Sequence, residues 1–148
     1  MAYDAKRYAA AARLWSEALA ADPKLGEDRR AAHRYNGACA AALAAEGRAE
    51  GEPPPDAAAK AELRRKALDW LRAELAAWSK VRDSGDQKAR AAVAPTLRHW
   101  KVDTDLGGVC DGDAIATLPA DERRAWEAFW KDVDALLKGE ARPGPARE

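Results

Sequence analysis

Alanine fills 38 of the 148 positions, whereas leucine, isoleucine, valine and phenylalanine together fill only 20. Such a chain cannot build its core from branched aliphatic side chains. It has to bring backbones close together through methyl groups and take its bulk from elsewhere. Six tryptophans can supply that bulk, since a large aromatic side chain buries about 150–250 Å². Alanine, leucine, arginine, lysine and glutamate lose little side-chain freedom in a helix. Valine, isoleucine and threonine, which suit a pleated sheet, number nine. The expectation is an all-α fold.

So few large aliphatic residues can also mark a disordered chain. Zero formal net charge, six indoles and strong helical periodicity point instead to a folded one. Its length suits a single domain, expected over residues 1–139. Two cysteines make no disulfide framework, and no charged-then-apolar leader is visible at the N-terminus; both point to a reduced, cytoplasmic setting. No apolar run approaches the roughly 20 residues of a membrane span.

Residues 60–100 carry ten Lys/Arg against five Asp/Glu, and residues 101–140 the reverse, five against ten. Opposite helices lying near each other explain this better than a nucleic-acid surface, which would interleave basic and aromatic residues. No nucleic-acid or membrane partner is expected, and no cofactor.

Apolar positions recur at three- and four-residue spacing through most of the chain. Tyr8, Ala11, Ala12, Trp15, Ala18 and Leu19 predict a helix over 4–22, ended by Asp22-Pro23. A second helix is predicted over 27–46, closed by Gly47 in a left-handed cap. The proline-rich stretch 47–56 reads as a flexible loop. Asp56 then caps a long helix to about Arg82, with Leu63, Ala67, Trp70, Leu71, Trp78 and Val81 on one stripe and Glu74 set into it. A helix over 87–101 carries Val93, Leu97 and Trp100 and is expected to bend at Pro95. Leu118-Pro119 opens the last helix, which carries Trp126, Phe129, Trp130, Val133, Leu136 and Leu137 and stops at Gly139. Residues 140–148 are expected to be a disordered tail.

Tyr8, Ala11, Trp15, Ala18 and Pro23 stand at the spacing of the second half of a tetratricopeptide repeat. HRYNGACAAALAAEG, with Tyr35 and Asn36, resembles a first helix of that repeat, and RRKALDWLRAELAAW resembles its partner, with Glu74 where alanine is usual. Five blocks in order, from RYAAAARLWSEALAADPKL to LPADERRAWEAFWKDVDALL, resemble the C-terminal tetratricopeptide-containing region of planctomycete-type bacterial proteins, many of which carry a serine/threonine kinase domain far upstream. Kinase activity is not carried over, because the glycine-rich loop, HRD and DFG motifs are absent.

The resemblance implies a short tetratricopeptide-like helical hairpin stack, an α-solenoid fragment, closed by a non-repeat C-terminal helix pair. It also implies a non-catalytic protein-interaction or scaffold module, possessing a groove lined by Ala32, Tyr35, Asn36 and Cys39 that takes a protein or peptide partner. In such proteins another helix precedes the RYAAAARLW segment. The first helix is therefore expected to pair with upstream repeats or with a second copy of the chain, and the chain could be a fragment of a larger kinase protein.

One stretch, HWKVDTDLGGVCDGD at 99–113, gathers a histidine, a cysteine and four aspartates. As a calcium loop begun at Asp103 it fails at Gly107 and Ala114, which occupy ligand positions. His99 and Cys110 lack the paired spacing of a zinc site. A Cys110 nucleophile with His99 as base lacks an orienting third residue. The structural reading is a connection in which Asp103 and Asp105 cap turns, Leu106 and Val109 anchor to the core, and Gly107-Gly108 adopt angles other residues avoid. Two alternatives stay open: an enzyme or metal-binding protein using this loop, and a purely structural cap for N-terminal repeats.

Overall fold

The computed structural model describes residues 6–141. Residues 4 and 5 of the expected first helix and residues 142–148 of the expected tail lie outside them. The described residues form helices and turns with no strand: α1 (Tyr8–Ala21), α2 (His33–Ala45), α3 (Ala57–Asp83), α4 (Gln87–Arg90), α5 (Val93–Val102), α6 (Gly107–Cys110), α7 (Gly112–Ala116) and α8 (Ala120–Ala141), with 3-10 turns at Pro23–Glu27 and Thr104–Leu106. No helix among them is long and apolar enough to cross a membrane. The chain gathers into two compact units, Met1–Glu74 and Leu75–Glu148, the boundary falling within α3.

The first unit rests on close approach of small residues. Ala11 and Ala12 of α1 are buried, and every residue of α2 from Gly37 to Ala45 is buried. A helix buried on all sides shows no polar face. At Gly37 the contact is tightest: a Cβ there would lie 3.0 Å from Cζ3 of Trp70 and 3.3 Å from Cβ of Trp15. Both indoles are half-buried, filling the space beside the glycine. Glu74, out of place on an apolar stripe by sequence, is buried and accepts a 2.8 Å hydrogen bond from Nε of Arg34. The Arg34 guanidinium lies over Gly26, where a Cβ would come within 3.1 Å.

The start of α2 departs from expectation. Asp28 accepts hydrogen bonds from the amides of Arg30 and Ala31, at 3.0 and 3.1 Å, and holds a separate turn. Ala32 then takes left-handed angles, φ 51° and ψ 45°, a conformation that costs a non-glycine residue about 1–2 kcal/mol. The helix therefore begins at His33 rather than near Glu27. Its end follows the sequence: Gly47 has φ 73°, with amides of Gly47 and Arg48 donating to the carbonyls of Ala44 and Leu43 at 3.0 and 3.2 Å. This is the paired pattern of a left-handed glycine cap.

The proline-rich stretch is fastened at two points. The Glu50 amide donates to the Lys6 carbonyl at 2.9 Å, and the Lys6 ammonium pairs with the Glu50 carboxylate at 3.1 Å. Both Glu52 oxygens accept from the first turn of α1, from the amides of Ala9 at 3.0 Å and Ala10 at 2.9 Å. A carboxylate there satisfies orphan donors and meets the positive end of the helix dipole.

In the second unit, α3 contributes Trp78 and Val81, α5 contributes Val93, Leu97 and Trp100, and α8 contributes Trp126, Phe129, Trp130, Val133 and Leu136, all buried. Phe129 is the hub, stacked on Trp100 at 6.4 Å between centroids and edge-on to Trp126 at 6.0 Å and to Trp130 at 4.9 Å. Pro95 does not bend one helix. The chain breaks at Ala91–Ala92 into α4 and α5, and Pro95 stands third in α5, within the first turn, where a missing N–H costs nothing. Gly139 does not stop α8, which continues to Ala141. A Cβ at Gly139 would come within 3.0 Å of the Arg82 guanidinium, so the glycine admits a neighbouring side chain rather than a turn.

Replacing Glu52 by alanine should lower stability by about 0.5–2 kcal/mol, the range for loss of a helix cap, and glutamine should recover part of it. Urea unfolding of the three proteins checks this. Equal stabilities would show that the fastening contributes nothing.

Candidate functional site

The four groove residues expected from sequence do not share one exposed row. Ala32 is the left-handed residue ahead of α2, and Tyr35 and Asn36 lie half-buried in its first turn. Cys39 is buried further along the helix. The Asn36 side-chain amide donates to the Ala31 carbonyl at 3.0 Å, so that donor stabilises the turn before the helix. Among the described residues no hydrogen bond engages its oxygen.

The stretch 99–113 is mostly helical, running from the end of α5 through a 3-10 turn and α6 to the start of α7. Leu106 and Val109 are buried anchors, as expected. Asp103 accepts from the Asp105 amide at 2.9 Å and lies 3.3 Å from Nε2 of His99. The glycines are a correction: Gly107 has φ −53° and ψ −38°, and Gly108 is not left-handed either. Gly107 instead gives room to Asp111, whose Oδ2 would stand 3.3 Å from a Cβ at that position.

Sequence reading missed a cleft of about 460 Å³ on the second unit, lined in part by Cys110, Ile115, Arg123, Glu127, Trp130 and Lys131. The Trp130 ring is fixed by its Nε1–H, which donates to the Val109 carbonyl at 2.8 Å. Lys101 and Asp134, also on its wall, form an ion pair. The available signal was the series Arg123, Glu127, Lys131, three residues at four-residue spacing beside the Trp126–Leu136 stripe of α8. Nothing in the sequence places Cys110 and Ile115 opposite that row.

The surroundings of Cys110 disfavour its thiolate. Burial pushes its thiol above the ordinary range, the Asp111 carboxylate adds to the effect, and Lys101 only partly opposes it. Its Sγ stands 3.6 Å from the Lys101 carbonyl, as donor in a weak hydrogen bond. His99 is not among the residues that line the cleft.

A raised thiol pKa leaves little thiolate at neutral pH, and thiolate is the reacting form. At pH 7.5 (about one unit below the reference pKa of roughly 8.5) iodoacetamide should modify Cys110 more slowly than it modifies free cysteine. Asp111→Asn removes an anion and should speed the reaction; Lys101→Met removes a cation and should slow it. A rate above that of free cysteine would contradict this electrostatic account. Cys39 is buried and should not interfere.

No family model, curated protein or solved structure matches the chain.

Proposed function

We propose that this chain is a non-catalytic protein-interaction module of tetratricopeptide type, serving as the terminal region of a bacterial signalling kinase or as its detached relative in the cytoplasm. The observation that carries the reading is the α1–α2 hairpin, in which Ala11, Ala12 and Gly37 are buried and Trp15 stands beside the glycine. Small residues at a helix contact with rings beside it are what the repeat pattern requires. Stacked helix pairs of this kind bind other proteins through surface edges rather than deep pockets.

In this reading an extended segment of a partner lies along Ala32, Tyr35 and Asn36. The Asn36 oxygen accepts from the partner's backbone, and the Tyr35 ring offers a rigid amphipathic contact. Cys39, being buried, supports the helix from within. Leu14, 55% exposed on α1, suits pairing with a neighbouring repeat or a second copy. The raised Cys110 thiol weighs against a nucleophile in the 99–113 stretch.

Random peptides displayed on phage and selected on the immobilised protein test the proposal. Enriched peptides should bind with micromolar affinity, and Asn36→Ala and Tyr35→Ala should each weaken them about tenfold, or about 1.4 kcal/mol. Failure to enrich any peptide, or equal binding to both variants, would remove this assignment.

A further inference from the structure

The cleft on the second unit plays no part in the interaction role, yet it has the dimensions and mixed lining of a small-molecule site. Its volume of about 460 Å³ falls within the roughly 300–1,000 Å³ typical of ligand pockets. Ile115 and Trp130 lie in its lining, each otherwise buried and showing a narrow apolar strip to it. The Trp130 ring cannot swing away without breaking its hydrogen bond to the Val109 carbonyl, so that surface is preformed.

The charges around it are unequal. Lys101 and Asp134 neutralise each other in their ion pair. Arg123, Glu127 and Lys131 remain on the α8 wall, and none of the three has an ion-pair partner among the described residues. On the α8 wall these two cations stand against one carboxylate, a local positive surplus, while the Asp111 carboxylate acts on the Cys110 side of the cleft. An anion entering there gains a partner for a cation that lacks one. A cation or a neutral molecule gains less.

We infer that this cleft binds a small organic anion, its aromatic or aliphatic body lying on Ile115 and Trp130 and its carboxylate or sulfonate meeting Arg123 or Lys131. The site is independent of the α2 edge proposed for protein partners. Its wall also carries Cys110, which provides a local reporter of occupancy.

The probe is 8-anilinonaphthalene-1-sulfonate, compared with the uncharged N-phenyl-1-naphthylamine on the full chain. The sulfonate should bind saturably, at one site and more tightly than the neutral dye, and saturation should slow alkylation of Cys110. The double variant Arg123→Glu/Lys131→Glu should weaken binding about tenfold or more. Glu127→Gln, which removes the opposing carboxylate, should strengthen it, so the prediction survives a double variant that fails to fold. Equal affinity for the neutral dye, or an unchanged Cys110 rate at saturating sulfonate, would overturn the inference. A peptide ending in a free leucine carboxylate presents the same two features; tighter binding of that peptide than of the sulfonate would overturn the small-molecule assignment.

Discussion

The first unit depends on one steric arrangement, an alanine-rich helix brought against its neighbours until even a methyl group at Gly37 would press on two indole side chains. Trp70 and Trp15 close on that point, at 3.0 and 3.3 Å from where a Cβ would stand. Interiors pack at crystal-like density, so a helix of methyl side chains must be approached closely or leave voids. With Ala38 through Ala45 all buried, α2 gains its stability from neighbours that come near. The turn that precedes it, with Ala32 in a left-handed conformation and Arg34 reaching Glu74, sets the angle at which the helix enters.

The second unit solves the same shortage of aliphatic bulk in another way. Phe129 gathers Trp100, Trp126 and Trp130 around it in stacked and edge-on contacts, geometries that aromatic quadrupoles favour. Trp130 does two things: its ring packs in this cluster, and its N–H satisfies the Val109 carbonyl. That bond ties the short helices after α5 to α8, and the cleft opens at the same junction. Structure and candidate chemistry share one residue, which is why the cleft has a fixed apolar surface.

Long periodic segments were legible in the sequence because their causes are local. The stripe from Leu63 to Val81 and the one from Trp126 to Leu136 lie on α3 and α8, and the caps at Asp56 and Gly47 are formed by hydrogen bonds within a few residues. What was not legible depended on partners distant in the chain or on competing local bonds. The late start of α2 comes from Asp28 holding its own turn. Glu74 looked like a defect until Arg34, 40 residues away, was placed against it. Glycines 107 and 139 read as turn formers, whereas each makes room for a side chain, Asp111 or Arg82. The cleft needs Cys110 and Ile115 set against α8, information that periodicity does not contain.

The central claim is that close approach at Gly37 organises the first unit, and side-chain volume at that position tests it most directly. Urea unfolding followed by tryptophan fluorescence should find Gly37→Ala nearly neutral, because a helix-propensity gain of about 1 kcal/mol offsets the crowding of one methyl group. Gly37→Leu should lose about 1–3 kcal/mol, the usual cost of overpacking. A leucine variant as stable as the parent would show that Trp15 and Trp70 do not close on the backbone there, and the account of the first unit would fail.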